Sequence, residues 1–241
     1  MGQELLARGV KPISNLWSAT ALMNKDYHQI IKDCHLDFIN SGAEIILTNT
    51  FGCRRRRLEE NQIENRFEEL NTTAVNLAKQ SVKESGKKVL IAGSLPPQNF
   101  TYLPELGDKK KMQQNFYDQA KILNGGVDLF YLDVLSSFDE IEIAVQSIKD
   151  FNKPFVIGIH FKKNGLLPSG EKLCDVIEKV KNFKPTAITG SCVAYEDVMS
   201  VKNDFLNSGL PFGFKVNAFR EIPVGWKPDS SNPNLALGKN E

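Results

Sequence analysis

Polar side chains that could bind a small molecule recur at the ends of short apolar runs in this sequence. They are Thr48, Asn49, Ser94, Asp133, His160, Cys192 and Asn217. A carboxylate such as Asp133 suits an ammonium partner, and the amides of Asn49 and Asn217 can orient a ligand because they both donate and accept hydrogen bonds. A cysteine thiolate binds metal, but a lone cysteine such as Cys192 is often a small buried apolar residue. Residue type alone therefore leaves metal binding and packing open for Cys192.

The remaining cysteines and the histidine at a strand end offer weaker chemistry. Cys34 and Cys174 fall on the faces of predicted helices, where we interpret them as packing residues, whereas Cys53 follows the first predicted strand and could approach a site there. His160 has no second histidine nearby, so we interpret it as a pocket-lining or satisfied polar residue. The cysteines show neither CxxC spacing nor disulfide density, and we expect a reducing cytoplasm.

Six short apolar runs must position these side chains. The predicted strands are 43–49, 89–95, 129–134, 155–161, 187–192 and 212–218. Segments of helical periodicity separate them, an alternation typical of βα units and a parallel sheet. An open doubly wound sheet and a (β/α)8 TIM barrel lacking two strands both fit. No G-x-G-x-x-G or P-loop follows a strand, and polar residues at strand C-termini are typical of a barrel active site, so the barrel is favoured.

Local signals predict where several helices begin and end. Apolar stripes over 27–39, 67–78 and 195–205 are followed by Gly42, Gly86 and Gly209, which indicate helix ends. Ser137 and Glu140 have the spacing of a capping box. The arginine run 54–57 is followed at once by two glutamates, so we expect it to be a solvated helix entry.

Length and composition predict one soluble domain over residues 1–241. Of the 241 residues, 41% are hydrophobic and 24% are charged, which is ordinary for a globular protein. The formal net charge of +1 gives no overall attraction to nucleic acid or an anionic membrane. The apolar runs are shorter than the ~18 residues of a spanning helix, so we expect neither a membrane nor a nucleic acid as partner.

A set of short segments gives the sequence a family resemblance. The segments are 16–19 (LWSA), His35, 42–44 (GAE), 48–51 (TNTF), 92–97 (AGSLPP), Tyr102, 104–105 (PE), 126–128 (GVD) and 190–192 (GSC). In this order and spacing they resemble the homocysteine S-methyltransferase family, a barrel with a zinc–thiolate site. The resemblance implies transfer of a methyl group from a small onium donor, or from methylcobalamin, to zinc-activated homocysteine, giving methionine.

The resemblance also assigns expected roles to individual residues. Cys192 matches the family's first zinc cysteine and is the expected metal ligand. Asp133 stands where the family usually carries a glutamate that contacts the homocysteine amino group, a departure that leaves the amino acid substrate open. Asn49 and Asn217 are expected to line the substrate pocket, and the segment 93–102 with Tyr102 to shape the mouth on the donor side.

The ends of the sequence depart from the family pattern. The opening Met-Gly-Gln-Glu-Leu resembles the family's first motif entered halfway, and the Gly-Gly-Cys-Cys motif of the eighth strand is not found. We therefore expect a fragment lacking most of strands one and eight, whose other two zinc cysteines lie outside this chain and which alone is inactive and binds zinc weakly. A short natural variant, a non-catalytic paralogue that binds a small amino acid and a TIM-barrel enzyme of unrelated chemistry remain alternatives. The methyl donor and the oligomeric state stay open.

Overall fold

Six parallel strands form the centre of the protein in a computed structural model that describes residues 1–217. They are β1 (Ile45–Leu47), β2 (Leu90–Leu95), β3 (Leu129–Leu135), β4 (Phe155–Ile159), β5 (Ala187–Val193) and β6 (Phe212–Val216). Each strand pairs with the next one along the chain, in the order β1-β2-β3-β4-β5-β6. All six predicted strands are confirmed within the described residues; position 218, the end of the sixth prediction, lies outside them.

Helices connect the strands and cover one face of the sheet. The α-helices of the described residues are α1 (Gly2–Ala7), α2 (Thr20–Met23), α3 (His28–Asn40), α4 (Arg55–Glu60), α5 (Phe67–Ser85), α6 (Lys109–Asn124), α7 (Phe138–Ile148), α8 (Leu173–Val180) and α9 (Tyr195–Leu206). The three apolar stripes correspond to α3, α5 and α9. Gly86 ends α5 with a φ of 63°, a left-handed conformation that glycine adopts without a steric penalty. None of these helices is long and apolar enough to cross a bilayer.

The main core lies between the sheet and the helices. Its fully buried side chains include Phe116 of α6, Phe130 of β3, Ile157 of β4, Ile177 of α8 and Phe205 of α9. Burying a side chain of this size contributes about 1.5–3 kcal/mol, so this layer fixes where the strand ends lie.

The opposite, inner face of the sheet carries a smaller core topped by polar groups. The Tyr131 hydroxyl is 2.7 Å from Thr189 Oγ1 and 2.6 Å from Ser191 Oγ. Gly158 of β4 makes room for this cluster, because a Cβ atom there would lie 2.4 Å from Ser191 Oγ. A layer of inward side chains of this kind fills the interior of a barrel.

The sheet curls into a partial barrel. Within residues 1–217, β1 and β6 do not pair with each other, so each has one strand neighbour. Their apolar side chains are correspondingly exposed, with Ile45 at 45% and Phe212 at 40%. The barrel prediction is therefore confirmed, in its incomplete form.

Three local predictions need correction. Arg54 is buried rather than solvated, because residues of the β2–α6 connection cover it. Cys174 lies on the exposed face of α8 and is not a packing residue. The capping box is shifted by one position: Ser137 Oγ accepts from the Glu140 amide at 3.2 Å, but the Glu140 carboxylate accepts from the amide of Ser136, at 2.9 Å, instead of that of Ser137.

Candidate active site

A cavity of about 930 Å³ opens at the C-terminal ends of the strands. The four residues singled out from the sequence, Asn49, Asp133, Cys192 and Asn217, all line it. They come together because the C-terminal ends of parallel strands meet at one edge of the sheet. The cavity wall also contains Lys215 of β6 and the segment 99–103 of the β2–α6 connection.

Two β-bulges lie at the strand ends that carry Asp133 and Cys192. The pairing of β3 with β4 shifts between Leu132 and Leu135, and that of β5 with β6 shifts between Ser191 and Val193. Within the bulges Val134 has a φ of 64° and Cys192 a φ of 58°, values that are uncommon for residues other than glycine. Bulges of this kind re-aim side chains beside active sites, and here they accompany the turn of a carboxylate and a thiol toward the cavity.

Asp133 forms an ion pair across the cavity with Lys215. The lysine Nζ contacts both carboxylate oxygens and lies 2.6 Å from Oδ2. The Asp133 side chain is 3% exposed, whereas that of Lys215 is 42% exposed along the open wall. Burial alone lowers the pKa of the Lys215 ammonium, but the attraction of Asp133, Tyr131 and Cys192 outweighs it, so the pKa is raised and the lysine stays charged.

Cys192 is held between two polar side chains. Its Sγ lies 2.9 Å from the Tyr102 hydroxyl. The Asn217 amide donates to the Cys192 carbonyl at 3.0 Å and is 3.6 Å from the sulfur. Burial and the neighbouring thiol raise the pKa of Tyr102. The phenol therefore keeps its proton and can donate a hydrogen bond to the sulfur. The site can therefore stabilise negative charge on the thiol.

Asn49 is fixed by the segment that precedes the sheet. Its Nδ2 donates to the Ser18 carbonyl at 3.0 Å, which leaves Oδ1 as an acceptor. The adjacent Thr48 and Thr50 hydroxyls lie 2.9 Å apart, and Thr50 donates to the Ser94 carbonyl at 2.7 Å. These bonds join the ends of β1 and β2 into one rigid wall.

His160 lies behind the cavity rather than in its wall. Its Nδ1 is 3.2 Å from the Ser191 carbonyl oxygen, and its ring packs against Tyr102 with centroids 4.7 Å apart. Burial lowers the pKa of His160 to about 4, so the imidazole is neutral at pH 7. This position supports Tyr102 and corresponds to a satisfied polar residue.

The described residues do not by themselves form a metal site. A catalytic zinc site uses three protein ligands and an open position. Within residues 1–217 no group of three or more His, Cys, Asp or Glu side chains could hold a metal ion. Cys192 is a suitable soft ligand at the cavity, but this part of the chain does not form a complete zinc site.

Two cavity residues were missed by sequence reasoning. Lys215 is two residues before Asn217. Side chains two positions apart on a strand point to the same face, so this spacing could have placed the lysine at the site. Arg54 was assigned to the surface with the rest of the arginine run, and its sequence carries no local signal of burial.

The fold and the cavity define a partial TIM barrel with a thiol, an ion pair and amides at the C-terminal ends of its strands. The sequence profile of the homocysteine S-methyltransferase family matches residues 1–240. The chain belongs to the homocysteine S-methyltransferase family.

Individual relatives agree with this assignment. Homocysteine S-methyltransferase 2 of Saccharomyces cerevisiae is 23% identical over 200 residues, covering 76% of this chain and 62% of the yeast protein. Homocysteine S-methyltransferase 1 of the same yeast is 22% identical over 207 residues, covering 76% of this chain and 61% of that protein. The chain thus matches about three fifths of the length of these relatives.

A solved structure shows the same fold. The metallated form of the homocysteine methyltransferase MmuM from Escherichia coli superposes with a TM-score of 0.74 at 18% identity, covering 95% of this chain and 90% of that one. The apo form of MmuM superposes with a TM-score of 0.64 at 20% identity. The six described strands are therefore those of a homocysteine methyltransferase barrel in partial form.

Proposed function

We propose that this protein is a homocysteine S-methyltransferase, which transfers a methyl group from a small onium donor to the sulfur of homocysteine and yields methionine. The observation that carries the proposal is the convergence of Asp133, Lys215 and Cys192 on one cavity in a chain of this family. In the transfer, a sulfur–carbon bond forms as the donor's carbon–nitrogen or carbon–sulfur bond breaks. The donor leaves as a neutral amine or sulfide, and the homocysteine thiol loses its proton.

The Asp133–Lys215 pair suits the amino acid end of homocysteine. Its carboxylate complements the substrate ammonium and its ammonium complements the substrate carboxylate. Aspartate reaches less far than glutamate, but the facing Lys215 already extends across part of the space between the two side chains. Asn49 supplies a further acceptor in the wall of the same cavity, and Asn217 orients Cys192.

We further propose that Cys192 is one thiolate ligand of a zinc ion whose other ligands lie outside residues 1–217. A free thiol with a pKa of about 8.5 is mostly protonated at neutral pH, and coordination to zinc would deprotonate it. The Tyr102 hydroxyl, 2.9 Å from the Cys192 sulfur, would favour the charged form of this ligand. The cavity would then align sulfur and donor, which is the main contribution a displacement of this kind needs from the protein.

Aromatic rings in the cavity wall suit an onium donor. Trp17 and Phe51 both line the cavity, with ring centroids 6.4 Å apart in an edge-to-face arrangement. A methylated nitrogen or sulfur cation is attracted to aromatic faces.

The proposal also includes one domain over residues 1–241, a cytoplasmic location and small molecules as the partners.

A second candidate is a non-catalytic barrel that binds a small amino acid. It is favoured by one observation, that a single potential zinc cysteine lines the cavity within the described residues. The two candidates differ in whether zinc changes the binding of homocysteine, because the second needs the ion pair alone.

Titration calorimetry of homocysteine into the 241-residue chain, with and without zinc, tests the proposal. We expect zinc supplied in excess to strengthen the binding of homocysteine, because a zinc ion held by Cys192 would add a contact to the homocysteine sulfur. Cys192→Ser should abolish this gain, whereas Cys174→Ser, which changes an exposed cysteine, should keep it. Asp133→Asn should weaken binding under both conditions.

Binding of homocysteine that is equal with and without zinc, and unchanged by Cys192→Ser, would favour the non-catalytic barrel. Formation of methionine from homocysteine and a donor such as betaine or S-methylmethionine, followed by mass spectrometry, checks the reaction directly.

A further inference from the structure

The Arg54 guanidinium is buried in the cavity wall without an opposite charge in contact. The residue is 3% exposed and lines the cavity. Its Nη1 donates to Thr101 Oγ1 at 3.0 Å, while its Nε is buried and has no hydrogen-bond partner among residues 1–217. No carboxylate of residues 1–217 lies within ion-pair distance of it. A buried cation in this state costs free energy unless a ligand completes its hydrogen bonds.

The other three arginines of the run have acceptors. Arg55 donates from two nitrogens to Asp118, at 3.1 and 2.7 Å. Arg56 pairs with Glu60 at 3.0 Å, and Arg57 donates to the carbonyl of Asn15. Arg57 also lines the cavity, makes no ion pair within residues 1–217 and has a buried Nε without a partner there, but it is only half-buried, so Arg54 differs from its neighbours in being fully buried. Burial, with a smaller contribution from Arg57, lowers the pKa of Arg54 to about 9, so the group still carries its charge at pH 7.

Arg54 lies close to the reacting region. Its hydrogen-bond partner Thr101 directly precedes Tyr102, whose hydroxyl is 2.9 Å from the Cys192 sulfur. Its guanidinium carbon is 5.9 Å from the centre of the Phe51 ring, which also lines the cavity. The wall around Arg54 therefore offers positive charge and an aromatic ring, a combination that suits a molecule with an anion at one end and an onium group at the other.

We propose that Arg54 is the residue that binds the carboxylate of the methyl donor. This inference rests on the proposed function for the identity of the reaction. Homocysteine is the less suitable occupant, because the Asp133–Lys215 pair already offers a partner for each charge of an amino acid. The planar guanidinium can hold a carboxylate through two parallel hydrogen bonds, which fixes the direction in which the donor's methyl group points.

Binding of matched onium compounds to the 241-residue chain tests the inference. Glycine betaine is compared with choline, which carries a hydroxymethyl group in place of the carboxylate, and S-methylmethionine with its decarboxylated analogue. In calorimetric titrations we expect the carboxylate form of at least one pair to bind at least about tenfold more tightly, as loss of a charge-assisted bidentate contact implies. Arg54→Gln should remove this preference, and Arg54→Lys should restore part of it.

Arg66→Gln is the matched control, because Arg66 pairs with Glu69 at the surface and does not line the cavity. It should keep the full preference for the carboxylate. Thermal unfolding of each variant shows whether the fold is retained, and the Lys variant keeps the test valid if the Gln variant is less stable.

Three results would overturn the inference: equal binding of both members of both pairs, a carboxylate preference that survives Arg54→Gln, or a loss of homocysteine affinity in Arg54→Gln with donor binding unchanged. The last result would assign Arg54 to the homocysteine carboxylate. A chain that shows the Arg54-dependent preference but no binding of homocysteine would keep the anion site and overturn the proposed function instead, so the two failures are distinguishable.

Discussion

Two couples of opposite charges lie near the strand ends, and they differ in whether the charges touch. Asp133 and Lys215 form an ion pair, with Nζ 2.6 Å from Oδ2. Arg54 and Glu140 are each 3% exposed and each influences the pKa of the other, yet they make no ion pair. Glu140 instead accepts from the amide of Ser136 at 2.9 Å, at the start of α7.

This difference shows when burial and when attraction decides the charge of a side chain. For Lys215 burial lowers the pKa, but the contact with Asp133 reverses the shift. For Glu140 burial prevails over the Ser136 hydrogen bond and the attraction of Arg54, and raises the pKa to about 7. The touching couple is neutralised within the protein, whereas the separated couple leaves a cation that a ligand can satisfy.

The largest expected effect concerns Glu140. Because its pKa in the folded chain, about 7, is above the ordinary value of 4.5, the folded state holds more protons between these values. The free energy of unfolding should therefore fall as pH rises from 4.5 to 7, by about 3 kcal/mol. Glu140→Gln keeps an acceptor for the Ser136 amide and should remove this fall. Denaturant unfolding at pH 5, 6, 7 and 8 measures the difference between variant and wild type.

Glu142→Gln is the control for this titration, since Glu142 is exposed on the same helix. It should follow the wild-type pH dependence within about 0.5 kcal/mol, as surface substitutions do. If Glu140→Gln also followed the wild type, Arg54 and Glu140 would attract each other as strongly as a touching pair, and the contrast between the couples would be lost.

The next effect concerns the touching couple. Lys215→Met leaves the Asp133 carboxylate buried without its partner, so the free energy of unfolding should fall by about 2 kcal/mol, less than for a fully buried pair because Lys215 is 42% exposed. Lys181→Met breaks the surface pair of Lys181 with Glu178 and should cost about 0.5 kcal/mol or less. Equal losses of unfolding free energy in the two variants would show that the buried carboxylate of Asp133 needs its lysine no more than the surface carboxylate of Glu178 does.

The fold was predictable because local patterns and burial agree along most of the chain. β3 is buried on both faces, and its continuous apolar run predicted nearly its full length. The first strand was overestimated, as 43–49 rather than Ile45–Leu47, because among the described strands β1 pairs with β2 alone and its ends make fewer ladder bonds.

The site was predictable in part, for a related reason. Asn49, Asp133, Cys192 and Asn217 were placed together because each follows a parallel strand, and strand ends meet at one edge. The contact of Asp133 with Lys215 joins residues 82 positions apart, and no local pattern indicates which inward side chains meet across a curled sheet. Likewise, a run of four arginines is typical of a surface, and Arg54 is buried by tertiary packing of the segment around Thr101.

The smallest expected effect belongs to the separated couple. Arg54→Met removes a buried cation that has no ion-pair partner in the described part of the chain, and it also removes one hydrogen bond to Thr101, worth about 1 kcal/mol. Relief of the buried charge offsets this loss, so the free energy of unfolding at pH 7 should stay within about 1 kcal/mol of the wild type.

Because Arg54 lowers the pKa of Glu140, the fall in stability assigned to Glu140 should also move to higher pH in the Arg54→Met variant. Arg66→Met provides the surface control. A loss as large as that of Lys215→Met would mean that Arg54 has a partner in the folded chain as strong as Asp133 is for Lys215, and Arg54 would then not be available to a donor carboxylate.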